Sequence, residues 1–366
     1  MSQAESSFTG ALATPALASF GERWYVLIMT CLVYTLSIAD RYVVSTVLDP
    51  IRIELHLTDS GVAWLTGVAF GLFYVVLGFP LSYLIDRHNR RKIVAVCLVL
   101  WSAMTALCGL ARNSWEFFFA RVGVTVGEAG GTPGANSLLS DYFPASRRAM
   151  ALTVFSLGAP IGAWVGYNVA GAIADHYGWR AVFLALGIPG VLAGLAVWLT
   201  VREPQRGVLD AGDDGEAPSF GETMRFLWQQ RSAVHVMMGT AVCALWGWGL
   251  MFWTPAFLQR TYHMSVGEAS VVTQNMHLWG GGLATVATGW LMARSCMIDA
   301  RRIVWLLAAG IGIATVASGV VYYTRDLTLA RAMLCLVPTG FWATAHLYLA
   351  ARDIIKDQQR ARSFPF

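Results

Sequence analysis

Four charged residues lie within stretches of the sequence that are otherwise apolar, and their chemistry suits proton binding and release. Asp40 and Arg41 are adjacent in one stretch, while Arg121 and Glu128 lie seven residues apart in another. Seven residues make two helical turns, so Arg121 and Glu128 share one face of a helix at different depths. Arginine keeps its charge, whereas a carboxyl group gains or loses a proton when its surroundings change. We expect these four residues to form a neutral polar network between two helices.

Two roles are open for this network. In the first, Asp40 or Glu128 binds a proton on one side of a membrane and releases it on the other. In the second, the four charges form a permanent ion-pair lock that fixes the packing of two helices. A charge at the centre of a membrane helix costs about 2.5–3.5 kcal/mol on insertion scales, so both roles require partners within the protein.

The composition shows what kind of protein must position these charges. Of the 366 residues, 56% are apolar and 13% are charged, and this charged share is about half that of an ordinary globular domain. So few charges cannot cover the surface of a soluble protein of this length. The sequence therefore predicts an integral membrane protein and excludes nucleic-acid binding.

Catalytic and metal-binding patterns are missing from the sequence. The six cysteines show neither CxxC nor Cys/His spacing, which predicts neither a metal site nor a disulfide framework. The phosphate-binding pattern G-x-x-x-x-G-K-[ST] does not occur, which argues against ATP hydrolysis. No loop carries a Ser/His or Cys/His constellation. We therefore expect neither an enzyme nor a cofactor.

Ten stretches are long enough to cross a membrane as helices. A hydrocarbon core about 30 Å thick needs about 20 apolar residues in a helix. The stretches that meet this length are 24–46, 61–85, 93–111, 115–138, 149–174, 181–201, 232–259, 269–293, 303–324 and 332–351. No alternating pattern of a membrane barrel occurs, so we expect ten helices. Gly158, Gly162 and Gly166 recur at every fourth residue, which predicts a close approach of a neighbouring helix backbone.

The basic residues predict the orientation of these helices. With the N-terminus in the cytoplasm, 18 of the 26 Lys and Arg residues fall in inner segments and 6 in outer loops. This distribution follows the positive-inside rule. We expect a multi-pass protein of a bacterial inner (plasma) membrane with both termini in the cytoplasm.

One long polar segment divides the chain into two halves. Its acidic, glycine-rich stretch 210–216 is typical of a flexible linker. The predicted organisation is a cytoplasmic N-terminal tail at 1–23, a six-helix bundle at 24–201, a cytoplasmic linker at 202–231, a four-helix bundle at 232–351 and a cytoplasmic C-terminal tail at 352–366.

Several motifs resemble those of the Major Facilitator Superfamily of transporters. The first inner loop reads Ser82-Tyr83-Leu84-Ile85-Asp86-Arg87-His88-Asn89-Arg90-Arg91, which is similar to the family signature G-x-L-A-D-R-x-G-R-[RK] with Ser82 and Asn89 in place of glycines. Five further stretches resemble the Spinster-type branch, whose animal members move lysophospholipids or sphingosine-1-phosphate. They are Ala39-Asp40-Arg41-Tyr42, Gly158-Ala159-Pro160-Ile161-Gly162, Gly178-Trp179-Arg180, Arg202-Glu203-Pro204-Gln205-Arg206-Gly207 and Trp253-Thr254-Pro255-Ala256-Phe257-Leu258.

The resemblance implies an all-α integral membrane fold of twelve helices, of which this chain shows ten, six before the linker and four after it. It implies a secondary transporter that works by alternating access, with protons, membrane lipid and an amphipathic or anionic, lysolipid-like solute as its partners. A symporter of small organic anions, from the anion:cation symporter branch, is the alternative. An inactive transporter remnant without the last two helices is another.

The resemblance also implies roles for individual residues. Asp40, Arg41, Arg121 and Glu128 are expected in the substrate cavity and in proton coupling. Asp86, Arg87, Arg90 and Arg91 are expected to form a cytoplasmic gate, although arginines alone would also suit a simple inner anchor. Asn275, His277 and Trp253 are further candidates for the cavity wall. Helix packing is the simpler explanation for the aromatic residues Trp246, Trp248, Phe252 and Trp253, with contact to an acyl chain as the alternative.

Overall fold

The computed structural model describes residues 18–207, 209, 220–281, 283, 286–287, 290, 300–321 and 337–362. Within these residues all the regular structure is helical. The α-helices are α1 Phe20–Thr46, α2 Leu48–Glu54, α3 Asp59–Ala63, α4 Ala69–Arg87, α5 Arg90–Cys108, α6 Ser114–Tyr142, α7 Ala145–Ser156, α8 Gly158–Thr200, α9 Phe220–Gln229, α10 Arg231–Tyr262, α11 Val266–Asn275, α12 Ala300–Val321 and α13 Val337–Arg362. Two π-helical turns, Trp64–Val68 and Met276–Gly281, precede α4 and follow α11.

Five helical stretches of the described residues are long and apolar enough to cross a membrane. They are Phe20–Thr46, Asp59–Arg87, Arg90–Cys108, Ala145–Thr200 and Arg231–Tyr262. The fourth of these contains both the fifth and the sixth predicted spans. The fourth predicted span, 115–138, lies within α6 and carries three charged side chains at Glu116, Arg121 and Glu128. The predicted spans 269–293, 303–324 and 332–351 lie partly outside the described residues.

A single glycine separates the two membrane-crossing parts of α8. Gly178 has φ 76° and ψ 168°, a conformation that breaks the helix and favours glycine. The next residue, Trp179, donates a hydrogen bond of 2.6 Å from its indole nitrogen to Glu54 Oε2 at the end of α2. This hydrogen bond lowers the pKa of Glu54 below its usual value. The break and its hydrogen bond therefore fix where the second part of α8 begins.

Glycines bring α8 into close contact with α1, and α6 into close contact with α5. A Cβ atom on Gly162 would lie 2.5 Å from the carbonyl oxygen of Thr35, and one on Gly166 would lie 2.7 Å from that of Ala39. The predicted close approach at this glycine repeat is therefore confirmed, with α1 as the neighbour of α8. On α6, a Cβ atom on Gly127 would lie 2.7 Å from the carbonyl oxygen of Cys97 in α5. The two helices that carry the charged residues, α1 and α6, therefore each pack tightly against one neighbouring helix.

The segment between the two predicted bundles and the end of the chain contain more helix than expected. Helix α9 lies within the predicted linker, and α13 runs to Arg362 through the predicted C-terminal tail. The extension of α13 has a physical reason, because Ala351 is fully buried and Ile354 packs against the apolar cluster that joins α12 and α13. Asp357 also accepts a 2.6 Å hydrogen bond from the backbone nitrogen of Ser232, near the beginning of α10.

Candidate functional site

The structure brings the four charged residues of the apolar stretches together in two crossed ion pairs. Arg121 in α6 donates from Nη1 to Asp40 Oδ2 in α1 at 2.7 Å. Arg41 in α1 donates to Glu128 Oε2 in α6, from Nε at 2.8 Å and from Nη2 at 2.7 Å. Neighbouring side chains on a helix point about 100° apart, so Asp40 and Arg41 each take a partner from the other helix. The charge of this group is balanced.

The two carboxylates of this group differ in how fully they are hydrogen-bonded. Asp40 is 2% exposed and receives a second hydrogen bond of 2.6 Å at Oδ1 from Thr105 in α5. Glu128 is 1% exposed, and its Oε1 atom is buried without a hydrogen-bond partner among the described residues. A buried polar atom without a partner is rare and costs free energy. Glu128 therefore has an open position for a proton, whereas both oxygens of Asp40 are occupied.

Arg41 differs from the other three charges because its side chain is partly exposed where it faces a cavity. Its side chain is 17% exposed. The guanidinium carbon lies 5.3 Å from the ring centroid of Phe70, 5.4 Å from that of Tyr74 and 5.3 Å from that of Trp248. Aromatic faces at this distance stabilise a cation. The rings hold the Arg41 charge at the cavity wall without neutralising it.

This cavity, which we call the arginine cavity, has a volume of about 640 Å³. Arg41 and Arg121 supply two positive charges to its lining, and no Asp or Glu of the described residues belongs to that lining. The rest of the wall is largely apolar or aromatic and comes from the π turn Trp64–Val68, from α4 and from α10. The acidic partners of the two arginines are thus buried behind them, and an occupant of the cavity meets the cations first.

Two glycines widen the arginine cavity on one side. Gly67, in the π turn, and Gly71, one turn later in α4, both line the cavity. A Cβ atom on either glycine would meet no other atom within 4 Å. Sequence reasoning missed these two residues, because a glycine that faces a cavity and a glycine that faces a helix look the same in a sequence.

The three other predicted cavity residues take different positions. Trp253 lines the arginine cavity. His277 lines a second cavity of about 530 Å³, which we call the distal cavity, and its ring centroid lies 4.9 Å from that of Tyr42. Asn275 lines neither cavity, because its side chain is exposed and donates a 2.9 Å hydrogen bond to the carbonyl oxygen of Val271 in its own helix.

The aromatic residues of α10 also differ from the expectation of simple helix packing. Trp248, Phe252 and Trp253 line the arginine cavity. Trp248 is 40% exposed and lies over Arg41. Three of the four side chains that the sequence suggested for packing between helices therefore line a cavity, whereas Trp246 lines neither of the two cavities.

The predicted gate residues separate into two groups. Arg90 is buried and forms ion pairs with Asp141 and, at 2.8 Å, with Glu203. Arg91 donates from its backbone nitrogen to Glu203 Oε2 at 2.8 Å. Asp86, by contrast, is exposed and makes no ion pair within the described part of the chain, and the Arg87 guanidinium lies 4.2 Å from the ring centroid of Tyr83.

Sequence reasoning missed the acidic partners of this arginine group. Glu203 belongs to the stretch Arg202–Gly207 that resembles the Spinster-type branch, and its position one residue after an arginine was the available signal. Asp141 lies near the end of α6 and gave no comparable signal. Together the two acids join the beginning of α5 to the end of α6 and to the segment after α8.

Polar side chains also join α10 to α1, α2 and α3, near the end of α1. Arg260 in α10 donates to both oxygens of Asp49 in α2 at 3.0 Å, and to Asp59 Oδ1 in α3 at 2.9 Å. Ser45 in α1 donates to the carbonyl oxygen of Phe252 in α10 at 2.8 Å. This end, which we call the Asp49 end, is therefore sealed by hydrogen bonds between α10 and the first three helices.

Metal binding has no support in the geometry of the described residues, where no three His, Cys, Asp or Glu side chains lie close enough to hold an ion. The chemistry of the site is that of ion pairs, aromatic faces and two guanidinium groups at a cavity.

Comparison with known proteins agrees with this geometry. Residues 30–363 match the profile of the Major Facilitator Superfamily. The fold is similar to that of a bacterial homologue of the human lysosomal transporter Spinster, solved in an inward-facing and unoccupied conformation. The TM-score is 0.70 at 31% sequence identity, and the match covers 91% of this chain and 75% of that one.

Related sequences include several transporters. An MFS-type efflux pump of Mycolicibacterium smegmatis is 30% identical over 342 residues, which are 92% of this chain and 78% of that protein. Protein spinster homolog 3 of Danio rerio is 31% identical over 68% of this chain, and the match spans only 51% of that protein. A probable L-galactonate transporter of Escherichia coli is 24% identical over 86% of this chain and 73% of its own length.

The helices, the buried ion pairs beside a cavity and these relatives all describe an integral, multi-pass membrane transporter rather than an enzyme. The chain belongs to the Major Facilitator Superfamily, and Spinster proteins are among its relatives.

Proposed function

We propose that the protein is a proton-coupled secondary transporter that moves an amphipathic organic anion by alternating access. The observation that carries this proposal is the arginine cavity. It presents two guanidinium groups within an otherwise largely apolar and aromatic wall, and the described part of the chain adds no carboxylate to that wall. An anionic headgroup matches the guanidinium groups, and an apolar body matches the remaining surface.

The crossed ion pairs suggest how binding of an anion is coupled to binding of a proton. An anion that binds Arg41 competes with Glu128 for the same guanidinium group. A buried carboxylate that loses its partner is costly, so Glu128 takes up a proton at that moment. Release of the anion returns Arg41 to Glu128 and expels the proton. Asp40, which holds Arg121 and accepts from Thr105, stays ionised and keeps α1, α5 and α6 together.

The proposed orientation places the Asp49 end outside the cell and both termini in the cytoplasm of a bacterium. The structure then represents the state that is closed to the outside, with Arg260 as the bridge between the two halves. We propose that these halves are the bundles at 24–201 and 232–351, which rock against each other around the cavity. The Arg90 group, with Asp141 and Glu203, is the proposed inner gate, to which Asp86 and Arg87 contribute only in another conformation.

A small organic anion is the second candidate substrate. The two guanidinium groups of the cavity favour it, because they suit a sugar acid as well as a lipid headgroup. The relative of Escherichia coli, a probable L-galactonate transporter, points in the same direction. The apolar wall separates the two candidates, because a sugar acid would leave most of that wall without an apolar partner.

Uptake into proteoliposomes tests both candidates. The purified chain is reconstituted, an acid-outside pH gradient is imposed, and uptake of labelled lysophosphatidate is compared with that of labelled galactonate. We expect uptake of the lysolipid to exceed that of galactonate at least tenfold. We expect Arg41→Gln to abolish uptake, and Arg112→Gln, which changes an exposed arginine outside the arginine cavity, to leave it unchanged. Preference for galactonate would favour the small-anion transporter.

A further inference from the structure

The distal cavity differs in chemistry from the arginine cavity. It lies along the neighbouring face of α10, and among the described residues that line it there is no Asp, Glu, Lys or Arg. Tyr42 and His277 are its polar aromatic members. Most of its remaining wall is apolar and comes from three helices, with Cys243, Met251, Val304, Leu307, Ile311 and Leu347 in α10, α12 and α13. Such a wall suits a hydrocarbon chain and offers nothing to a second charge.

The two cavities meet at one aromatic residue. Trp248 and Ala244 line both of them. The Trp248 ring centroid lies 5.3 Å from the guanidinium carbon of Arg41, so the same side chain touches the cation and the apolar cavity. A molecule that binds Arg41 with one end therefore reaches the distal cavity by passing along Trp248.

A glycine keeps the distal cavity open. Gly247 lines this cavity, and a Cβ atom on it would meet no other atom within 4 Å. A larger side chain at this position would enter the cavity without displacing a neighbouring helix. Gly310 in α12 has equally open surroundings and lines neither cavity, so it serves as the matched control.

We propose that the distal cavity receives the apolar chain of an amphiphilic anion whose headgroup lies at Arg41 and Arg121, and that Gly247, because it has no side chain, sets how long that chain can be. This proposal rests on the proposed function, which assigns the arginine cavity to an anion. The volumes of both cavities lie within the range of about 300–1,000 Å³ that small-molecule sites occupy. Each methylene group buried in the distal cavity strengthens binding about fourfold.

Protection of a native thiol tests where the chain lies. Cys243 lines the distal cavity and is half-buried, while Cys31 is half-buried in α1 and lines neither cavity. The protein in lipid nanodiscs is treated with N-ethylmaleimide, and the rate at each cysteine is measured by mass spectrometry. We expect decyl phosphate to slow the reaction of Cys243 at least fivefold and to leave that of Cys31 unchanged. Inorganic phosphate should protect neither. Equal protection of both thiols, or of neither, by decyl phosphate would overturn the proposal.

Substitution of the glycines tests the length limit. Binding of butyl and decyl phosphate is measured by titration calorimetry, with protein-free nanodiscs as the blank. Gly247→Leu should weaken binding of decyl phosphate at least tenfold and change that of butyl phosphate less than twofold. Gly310→Leu should bind both compounds as the unchanged protein does. An equal loss for both compounds in Gly247→Leu, or no loss for either, would contradict the length limit. Should Gly247→Leu fail to fold, the thiol protection decides the question without it.

These binding experiments are independent of transport. Protection of Cys243 by decyl phosphate without any lysophosphatidate uptake would contradict the proposed function and leave the distal cavity as a chain site. Efficient uptake of galactonate without protection of Cys243 would contradict the distal cavity and leave the protein an anion transporter.

Discussion

At the scale of single residues, Asp40 and Glu128 show how hydrogen-bond partners and burial can give two buried carboxylates different roles. Each carboxylate faces an arginine, yet Asp40 has a hydrogen bond on both oxygens and Glu128 has one oxygen without a partner in the described structure. Arg121 is almost fully buried, whereas Arg41 lies at the cavity wall. Removing each acid should therefore have a different consequence.

We predict that Asp40→Asn destabilises the protein and that Glu128→Gln changes transport instead. Loss of the Asp40 charge leaves Arg121 buried without a counter-ion, which costs about 3–5 kcal/mol. Loss of the Glu128 charge costs less, because Arg41 faces the cavity and three aromatic rings. Thermal unfolding in detergent should show a large fall in Tm for Asp40→Asn and a small one for Glu128→Gln. Uptake by Glu128→Gln should no longer respond to a pH gradient. Equal falls in Tm would contradict the difference between the two sites.

The sequence was sufficient to identify these four residues, because charges within apolar helices are costly and need partners. It could not show that the pairs are crossed, since this depends on how α1 and α6 are rotated against each other. It also gave no sign of Thr105, because a threonine within an apolar helix has no distinctive pattern. The open oxygen of Glu128 is a property of the packed structure alone.

At the scale of the helices, glycines determine both the contacts and the openings. The spacing of Gly158, Gly162 and Gly166 was enough to predict a tight helix contact, because the repeat places all three on one face. The open space beside Gly67, Gly71 and Gly247 could not be predicted, because it depends on where the packed helices leave a cavity between them. Glycine therefore allows close helix packing in α8 and leaves space in a cavity wall in α4.

We predict that Gly162→Ala destabilises the protein and that Gly71→Ala does not. A Cβ atom on Gly162 would lie 2.5 Å from a backbone oxygen of α1, so the two helices must separate. Overpacking of this kind costs about 1–3 kcal/mol. Gly71 has free space at the same position and is the matched control. Thermal unfolding of both variants checks this prediction. Equal Tm values for the two variants would contradict it.

At the scale of the whole molecule, α10 meets α2 and α3 at the Asp49 end through Arg260. Arg52 belongs to the same charged group, with its Nε 3.2 Å from Asp49 Oδ1, but it lies in α2, the same helix as that aspartate. Only Arg260 connects α10 to α2 and α3 in this group of four charges. The equilibrium between conformations should therefore depend on Arg260 more than on Arg52.

We predict that Arg260→Gln opens the Asp49 end and that Arg52→Gln does not. Partly exposed ion pairs contribute about 0.2–1 kcal/mol each. Arg260→Gln removes two such pairs, which shifts the equilibrium between the closed and the open Asp49 end about fivefold. The reporter is a cysteine at Ser45, a buried residue that contacts α10. Its reaction with a membrane-impermeant maleimide should accelerate about fivefold in Arg260→Gln and remain unchanged in Arg52→Gln. A faster maleimide reaction in both variants would show that the total charge around Asp49 matters and that the contact of Arg260 with α2 and α3 does not.

Orientation in the membrane has its own test, with two matched positions. Asn113 and Asn89 are both N-caps, whose side chains accept a hydrogen bond from the first turns of α6 and α5. We predict that an impermeant maleimide added to intact cells labels Asn113→Cys and not Asn89→Cys. Labelling of Asn89→Cys alone would reverse the proposed orientation.

The central claim is that a proton moves with the substrate because both depend on Arg41. The most direct measurement follows the two fluxes together, in proteoliposomes that contain a pH-sensitive dye and receive lysophosphatidate on the outside. The account predicts that lysophosphatidate uptake carries protons inward with the unchanged protein. With Glu128→Gln, it predicts lysophosphatidate exchange across the membrane without proton movement. Lysophosphatidate uptake without any change in internal pH, or equal proton movement with and without Glu128, would contradict it.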